Sequence, residues 1–421
     1  MLIHIIGGGN GQLSLIRRCK SRGLEVLITD QSSDAPGIAE ADFFEPASTF
    51  STSETVAALK RFRSEQGRLP GGIAVAGTDQ PVLTAAETAE ALGIGYFLDR
   101  RKALTFTNKK VMKNLLRESG IAVSPYVFFS ESSGPQVLDE LQFPVVVKPL
   151  DSQGQRGVLR LDSPSDVAAR LPEVLSYSRQ SEILAEEYYP SEEVTVSGWV
   201  CGGELYIFSV TDRRTVDFES SIGVCLAHHY PSRLNEKAAE IASLSRRVTE
   251  VSGIEEGPVY FQFLYGRKGL VVNEIAARLG GAYEDQFLPF ICGVDTLDLL
   301  IDLSLGLPAA FDFTGIEHSA DRVVSLQMFF CREGLIGTMS GMDSVLKLSG
   351  VRSGGFLVEP GTLILPRANS VQRAGYFLIC CDSKRTADQI AEEAYSLLEI
   401  RSNDGENMID VDRIMFFGGR N

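Results

Sequence analysis

Histidine is scarce in this chain, and the four present (His4, His228, His229 and His318) are too few and too scattered to assemble a zinc site. The seven cysteines form no CxxC pair. Only Cys380 and Cys381 are close, and they are adjacent, so reduced and mostly buried thiols are expected in an intracellular setting. No apolar run reaches the roughly 18 residues that suggest a membrane span. The opening MLIHIIGGGNGQ has too short an apolar run, and no preceding basic segment, to read as a signal peptide. Positive charge is in deficit: 40 Lys and Arg against 55 Asp and Glu leave a net charge of −15. That balance argues against nucleic acid or an anionic membrane as the main partner, while a basic pocket could still take small anions. There is no Walker lysine motif, no internal repeat and no low-complexity linker. The expected setting is the cytoplasm.

What is present is an ordinary globular composition, 44% apolar and 23% charged over 421 residues, enough for about three domains. Over residues 1–103 strands and helices alternate. LIHII (2–6), LEVLITD (24–30) and GGIAVAGTD (71–79) read as strands, with helices after the first glycine turn, at TSETVAALKRFRSEQG and at TAAETAEALG. Such alternation implies a wound α/β domain with a parallel sheet covered on both faces. The GGGNG turn invites a dinucleotide reading, and Asp30 lies where a ribose-binding acid would. The fingerprint G-x-G-x-x-G nevertheless lacks its third glycine, since Gln12 follows Gly7, Gly9 and Gly11. A tight turn with Asp30 as a strand-end polar residue is the plainer reading.

Residues 104–311 read as a strand-rich α+β unit. TNKKVMKNLLRESGI is an amphipathic helix closed at Gly120. FPVVVKP, VLRLD, ILAEEYY, EEVTVSGWV and ELYIFSVTD read as strands, and SDVAARLPEVLSYS as a helix. Residues 312–421 read as a second α+β unit. Its expected strands are RVVSLQMFFC, VLKLSGV, GGFLVEPG, TLILP and AGYFLICC, and its helix is TADQIAEEAYSLLEI.

The middle unit carries the chemistry. Lys148 ends a strand and precedes DSQGQRGV, where Gly154 and Gly157 can expose backbone N–H groups to an anion and Ser152 can add a hydroxyl. Alternatively this is a surface hairpin with a solvated lysine. Lys109 opens a helix, where the positive end of the macrodipole repels it and a bound anion would relieve the conflict. Glu186 to Tyr189, followed by Pro190, read as a hinge between two lobes. Glu193 beyond it is placed to accept hydrogen bonds from ribose hydroxyls; an acidic loop is the bland alternative.

VYFQFLYGRKGLVVNEI reads as a β-hairpin around GRKG. If Gln262 stands opposite Glu274, two oxygen ligands for magnesium share one face. That register requires a bulge or a longer connection, because a slip of one residue separates the pair across the sheet. Arg278 would follow as a charge for a transferring phosphoryl group, or serve only as a strand-end ion pair.

Taken in order over nearly the whole chain, these elements resemble the ATP-grasp superfamily. The resemblance implies an ATP-grasp fold of mixed α/β and α+β class. It has a wound pre-ATP-grasp domain without nicotinamide cofactor (1–103), a nucleotide-binding domain (104–311) and a C-terminal ligase-type domain (312–421). By this resemblance Lys109, Lys148 and the glycine-rich loop with Ser152, Gly154 and Gly157 bind ATP. Glu186 and Tyr189 serve as its adenine hinge and Glu193 as its ribose acid. Gln262 and Glu274 are the ligands for Mg2+ or Mn2+, and Arg278 matches the arginine of the E-x-N-P-R motif.

CREGLIGTMSGMDSVLKLSGV, VEPGTLI and RAGYFLICCDSKRTADQIAEEA are similar to the C-terminal domain of L-amino-acid ligases, and SSIGVCLAHHYPSRL to a segment lining their substrate cleft. The implied activity is an ADP-forming carboxylate–amine ligase acting through an acyl phosphate on small-molecule acids and amines. A homodimer is usual for relatives. The chain departs from the pattern at Ala276, where Asn is usual, at Ser191, where glycine is usual, and at Gln262, where Glu is usual. Carbamoyl-phosphate- or carboxylase-like chemistry and a non-catalytic ATP-binding relative are the alternatives.

Overall fold

The computed structural model describes residues 1–218, 221–308, 311–316, 322–365, 369 and 372–419. His318, Ser220 of SSIGVCLAHHYPSRL and Pro366 of TLILP lie outside them.

The N-terminal alternation produces a four-stranded parallel sheet in the order Phe43–Pro46, Glu25–Asp30, Leu2–Ile6, Gly72–Ala74. Its central strand, Leu2–Ile6, is buried throughout, as a parallel strand covered on both faces must be. The edge strand Phe43–Pro46 was not expected from FFEP, four residues with no alternation. The helix Leu13–Ser21 packs on the sheet and on the helix Thr296–Ser304 of the middle unit. Across that seam Arg18 pairs with Asp295 at 3.0 Å and Arg22 with Asp302 at 2.5 Å.

A small antiparallel sheet, Tyr126–Phe129, Ile183–Glu187, Val145–Pro149, Leu159–Leu161 in that order, forms one lobe of the middle unit. The helix Pro164–Leu175 covers it, burying Val167, Leu171 and Val174 against Val145, Val147 and Ile183. Fully burying each such side chain contributes about 1.5–3 kcal/mol.

The other lobe is an eight-stranded antiparallel sheet that does not stop at the end of the middle unit. Its order is Gly269–Ala276, Gly257–Gly266, Ser191–Cys201, Glu204–Phe218, Ser221–Tyr230, Val323–Phe329, Gly375–Cys381, Val351–Phe356. The last three strands belong to the C-terminal stretch, so Ala227 to Tyr230 pair with Val324 to Gln327 in one continuous ladder. The helix Lys384–Leu397 lies on this part of the sheet through Ala387, Ala391 and Ala394, which are spaced four and three residues apart on one face.

Two C-terminal expectations differ from the structure. VLKLSGV is not a strand: a short helix, Met342–Val345, leads into turns, and extended structure resumes only at Val351. Gly341 enters that helix at φ 95°, where an added Cβ would lie 1.9 Å from the carbonyl oxygen of Leu397, so the chain must turn there. Gly334–Ser340 forms an unexpected strand between Leu363–Ile364 and Glu399–Ser402. The last of these takes up the residues expected to end the helix.

Candidate active site

The two lobes enclose a cavity of about 560 Å³. Lys109, Lys148, Ser152, Gly154, Glu186, Tyr189, Glu193 and Glu274 all line it. A second cavity of about 500 Å³ lies towards the N-terminal domain and is lined by Gln262, Glu274 and Arg278. Gly157 borders neither. It takes φ 70° at the far end of the loop, where an added Cβ would lie 2.8 Å from the Tyr177 ring.

Lys109 is the first residue of the helix Lys109–Glu118, whose free N–H groups at Lys110 and Val111 donate to the Asn108 side chain. Its ammonium donates to the Ser152 carbonyl at 2.8 Å, which ties the helix start to the glycine-rich loop. One turn later Lys113 is fully buried and pairs with Glu186 at 2.8 Å. Lys148 pairs with the other oxygen of the same carboxylate and donates to Asn273 at 2.8 Å. Burial alone would raise the Glu186 carboxyl. The two ammoniums outweigh it and hold the group at about 2. The Glu186 carboxylate therefore fixes the two lysines. At the expected hinge Tyr189 turns its hydroxyl away, donating to Gly269 O at 2.8 Å and accepting from Lys268 N at 2.9 Å. Glu193 gives one oxygen to Arg213 at 2.6 Å.

On the hairpin Gly257–Gly266/Gly269–Ala276, Phe263 opposes Val272 while Gln262 opposes Glu274. Asn273 is the extra residue of a bulge, and it donates to Gln262 Oε1 at 3.3 Å while accepting from Lys148. Burial would raise the Glu274 carboxyl, but Lys109, Arg278 and Lys148 together hold it below its ordinary range. Asp79, at the start of the helix Gln80–Leu92, is pushed up by burial and by Glu274, against Arg278 and Lys109. Its Oδ1 accepts from Arg278 Nε at 2.6 Å, and the Arg278 guanidinium also lies 4.8 Å from the Tyr260 ring centre. Arg278 thus reaches the second cavity already paired.

The glycine-rich loop is itself moored to that helix, because Gln153 Oε1 accepts from Asp79 N at 2.6 Å. Gln153, Gly154, Gln155, Arg156 and Glu274 line both cavities, so one wall serves two chambers. The N-terminal glycine turn lines the second chamber. Asp30 accepts from Gly8 N at 2.8 Å, and Gln12 donates to Ala76 O at 2.7 Å, so both side chains brace the turn.

Lys113, Asn273, Asp79 and Gln153 were not among the expected site residues. Only Lys113 left a trace in the sequence, as a lysine four positions after Lys109 on the same helical face.

For a divalent cation, Glu274 supplies charge and Gln262 and Asn273 supply neutral oxygens beside it. Among the described residues no cluster of three or more His, Cys, Asp or Glu is placed to hold a metal ion. Ala276, buried, contributes no oxygen. The donor set suits a hard cation that takes its remaining oxygens from phosphates.

Residues 141–285 match the ATP-grasp domain family, and residues 327–402 match the L-amino acid ligase C-terminal domain 2 family. The chain is 23% identical over 299 residues to the uncharacterized protein y4rH of Sinorhizobium fredii, covering 69% of this chain and 60% of that protein. It is 22% identical over 325 residues to an L-arginine-specific L-amino acid ligase of Bacillus subtilis, covering 75% of this chain and 76% of that enzyme. Among solved structures, the L-amino acid ligase of Bacillus licheniformis superposes with a TM-score of 0.79 at 18% identity, over 96% of this chain and 98% of that one. The fold is accordingly the ATP-grasp fold of mixed α/β and α+β class. No described helix is long and apolar enough to cross a membrane.

Proposed function

We propose that this chain, which carries an ATP-grasp domain followed by an L-amino acid ligase C-terminal domain, is an ADP-forming carboxylate–amine ligase. The observation that carries the reading is the convergence of Lys109, Lys148 and Glu274 on one cavity, with Arg278 behind the shared wall. Its substrates are ATP, a small carboxylic acid and an amine, with amino acids the class suggested by the relatives' names.

In this reading the triphosphate lies in the first cavity, held by Lys109, Lys148 and the N–H groups of the glycine-rich loop with Ser152. The adenosine lies towards the Glu186–Tyr189 segment, with the free oxygen of Glu193 for a ribose hydroxyl. A bound Mg2+ would be held by Glu274 and Gln262 and would neutralise phosphate charge. The acid enters the second cavity, and its carboxylate oxygen attacks the γ-phosphorus across the shared wall, giving an acyl phosphate and ADP. A neutral amine then attacks the acyl carbon; the amide forms, inorganic phosphate leaves, and the amine proton is released. Arg278, positioned by Asp79, meets the negative charge that develops on the transferring group. The loop keeps water from the acyl phosphate, which water would otherwise destroy.

The test is a phosphate-release screen of the purified protein with Mg2+, ATP and all pairs of common amino acids. Turnover that needs both an acid and an amine is the expected result. Phosphate release driven by bicarbonate alone would move the protein to carboxylase-like chemistry. A second reading, an ATP-binding relative without turnover, is favoured by Ala276; it would show nucleotide binding and no product over the whole panel.

A further inference from the structure

Four guanidinium groups border the second cavity: Arg156 sits on the shared wall and donates to Gln153 O at 3.2 Å, and two others are neutralised by carboxylates. Arg213 is paired with Glu193 at 2.6 Å and Arg278 with Asp79 at 2.6 Å. Arg373 is not. It belongs to no ion pair among the described residues, and its Nε is buried without a hydrogen-bond partner. The charged or titratable groups that act on it most are Cys225, Tyr283, Arg213 and Tyr260, none of them a carboxylate. A buried donor left unpaired is costly, and a half-buried guanidinium without a counter-ion adds to that cost.

The position is nonetheless rigidly built. Ala374, next in the chain, donates to Phe329 O at 2.8 Å and accepts from Leu357 N at 2.8 Å, at the head of the strand Gly375–Cys381. Tyr283 beside it is held at φ 54°, in the left-handed region, with its ring stacked on Tyr376 at 3.9 Å between centres. A non-glycine residue in that conformation persists only where its surroundings impose it. Cys225, Tyr283 and Leu357 line the second cavity and not the first, so Arg373 lies away from the wall that faces the nucleotide.

We infer that Arg373 is the docking residue for a substrate carboxylate other than the one that is activated. The inference rests on the ligase reading for the identity of the activated group, and on the unpaired guanidinium for the rest. A carboxylate can take two parallel N–H bonds from a guanidinium and would supply the missing counter-charge. Two sources share this chemistry: the carboxylate of an amino acid that supplies the amine, and a spare carboxylate on the acid being activated. Either way the site selects substrates that keep a free carboxylate at the far end of the cavity. Simple amines and capped amino acids are then poor substrates.

The test compares wild-type protein with Arg373→Gln, after thermal melting has shown that the variant folds. Turnover is measured with Mg2+ and ATP over the L-amino acids, each set against its α-carboxamide as the amine; aspartate and glutamate are set against asparagine and glutamine as the acid. In the wild type, replacing the docked carboxylate by an amide should raise KM at least tenfold. Whether the α-carboxyl of the amine or the side-chain carboxyl of the acid carries that penalty tells the two sources apart. In Arg373→Gln the KM of the carboxylate form should rise to that of the amide form, with the KM for ATP unchanged. Equal treatment of carboxylate and amide by both proteins overturns the inference, as does a variant whose KM rises alike for every substrate including ATP. The same pairs are titrated calorimetrically in the presence of Mg2+ and ADP. Carboxylate-selective binding that is lost in Arg373→Gln, without ADP release in any assay, would retire the ligase reading and keep the site; absence of such binding together with absence of turnover retires both.

Discussion

Gln262 and Glu274 stand side by side because the strand that carries the glutamate is one residue longer than its partner at that point. Asn273 is that residue. Removing it leaves Glu274 opposite Gln262 but takes away the amide that donates to Gln262 and accepts from Lys148, so both side chains lose the contact that positions them. Deletion of Asn273 is therefore expected to lower substrate-dependent ADP release by about 100-fold or more, the scale of losing one well-placed charge-stabilising group. Nearly normal release by the deletion variant would show that the bulge has no part in the site.

Lys148→Ala and Glu274→Ala are each expected to abolish substrate-dependent ADP release while far-ultraviolet circular dichroism stays like wild type. Lys148 is held by Glu186 and Asn273 on the small sheet, and Glu274 ends the hairpin of the large one, so neither supports a core. Wild-type rates in both variants would remove their assigned roles.

Glu186 carries a stability prediction as well as a positioning one. Changing it to Gln leaves Lys113 buried without a counter-ion, which should cost about 3–5 kcal/mol in denaturant unfolding. The carboxyl is held at about 2, below its ordinary value of 4.5. Its contribution is present above pH 4.5 and is lost as pH falls towards 2. In the wild type that contribution is of order 3 kcal/mol, and Glu186→Gln should flatten the acid limb of the stability curve. An unchanged acid limb would count against the triad.

Glu284 should act in the opposite sense. Burial raises its carboxyl to about 7, although Ser197 and the N–H of Gly280 donate to it. An acid raised on folding stabilises fully below its unfolded value of 4.5, and the benefit is gone once pH passes about 7. Unfolding midpoints in urea should therefore fall between pH 5 and pH 7.5, and Glu284→Gln should remove most of that fall. A variant with the same slope as wild type would place the titration elsewhere.

Much of this site could be read from local patterns. A lysine ending VVVK, a glycine-rich loop and a hairpin around GRKG each announce themselves within a dozen residues. The convergence of Lys109, Lys148 and Glu274 was implied by their order, and they share one cavity. What stayed hidden depends on distant partners. Arg278 and Asp79 are 199 residues apart, and Gln153 meets the N–H of Asp79 across 74. Neither pairing leaves a periodic trace. Lys113 shares a helical face with Lys109, but only tertiary packing buries it beside Glu186. The strand Gly334–Ser340 escaped notice because it is half exposed and built from glycine, threonine and serine among its apolar residues. VLKLSGV misled because its valines and leucines suggest a strand, whereas the close approach of Gly341 to Leu397 forces a turn.

The ladder between Ala227–Tyr230 and Val324–Gln327 limits how the protein can be cut. A chain that stopped before Val323 would expose the main-chain donors and acceptors of a long, flat border strand, and such borders recruit other chains. Truncation there should give a sticky, self-associating product rather than a smaller soluble nucleotide-binding fragment, so the last hundred residues act as a seal as well as a contributor of side chains.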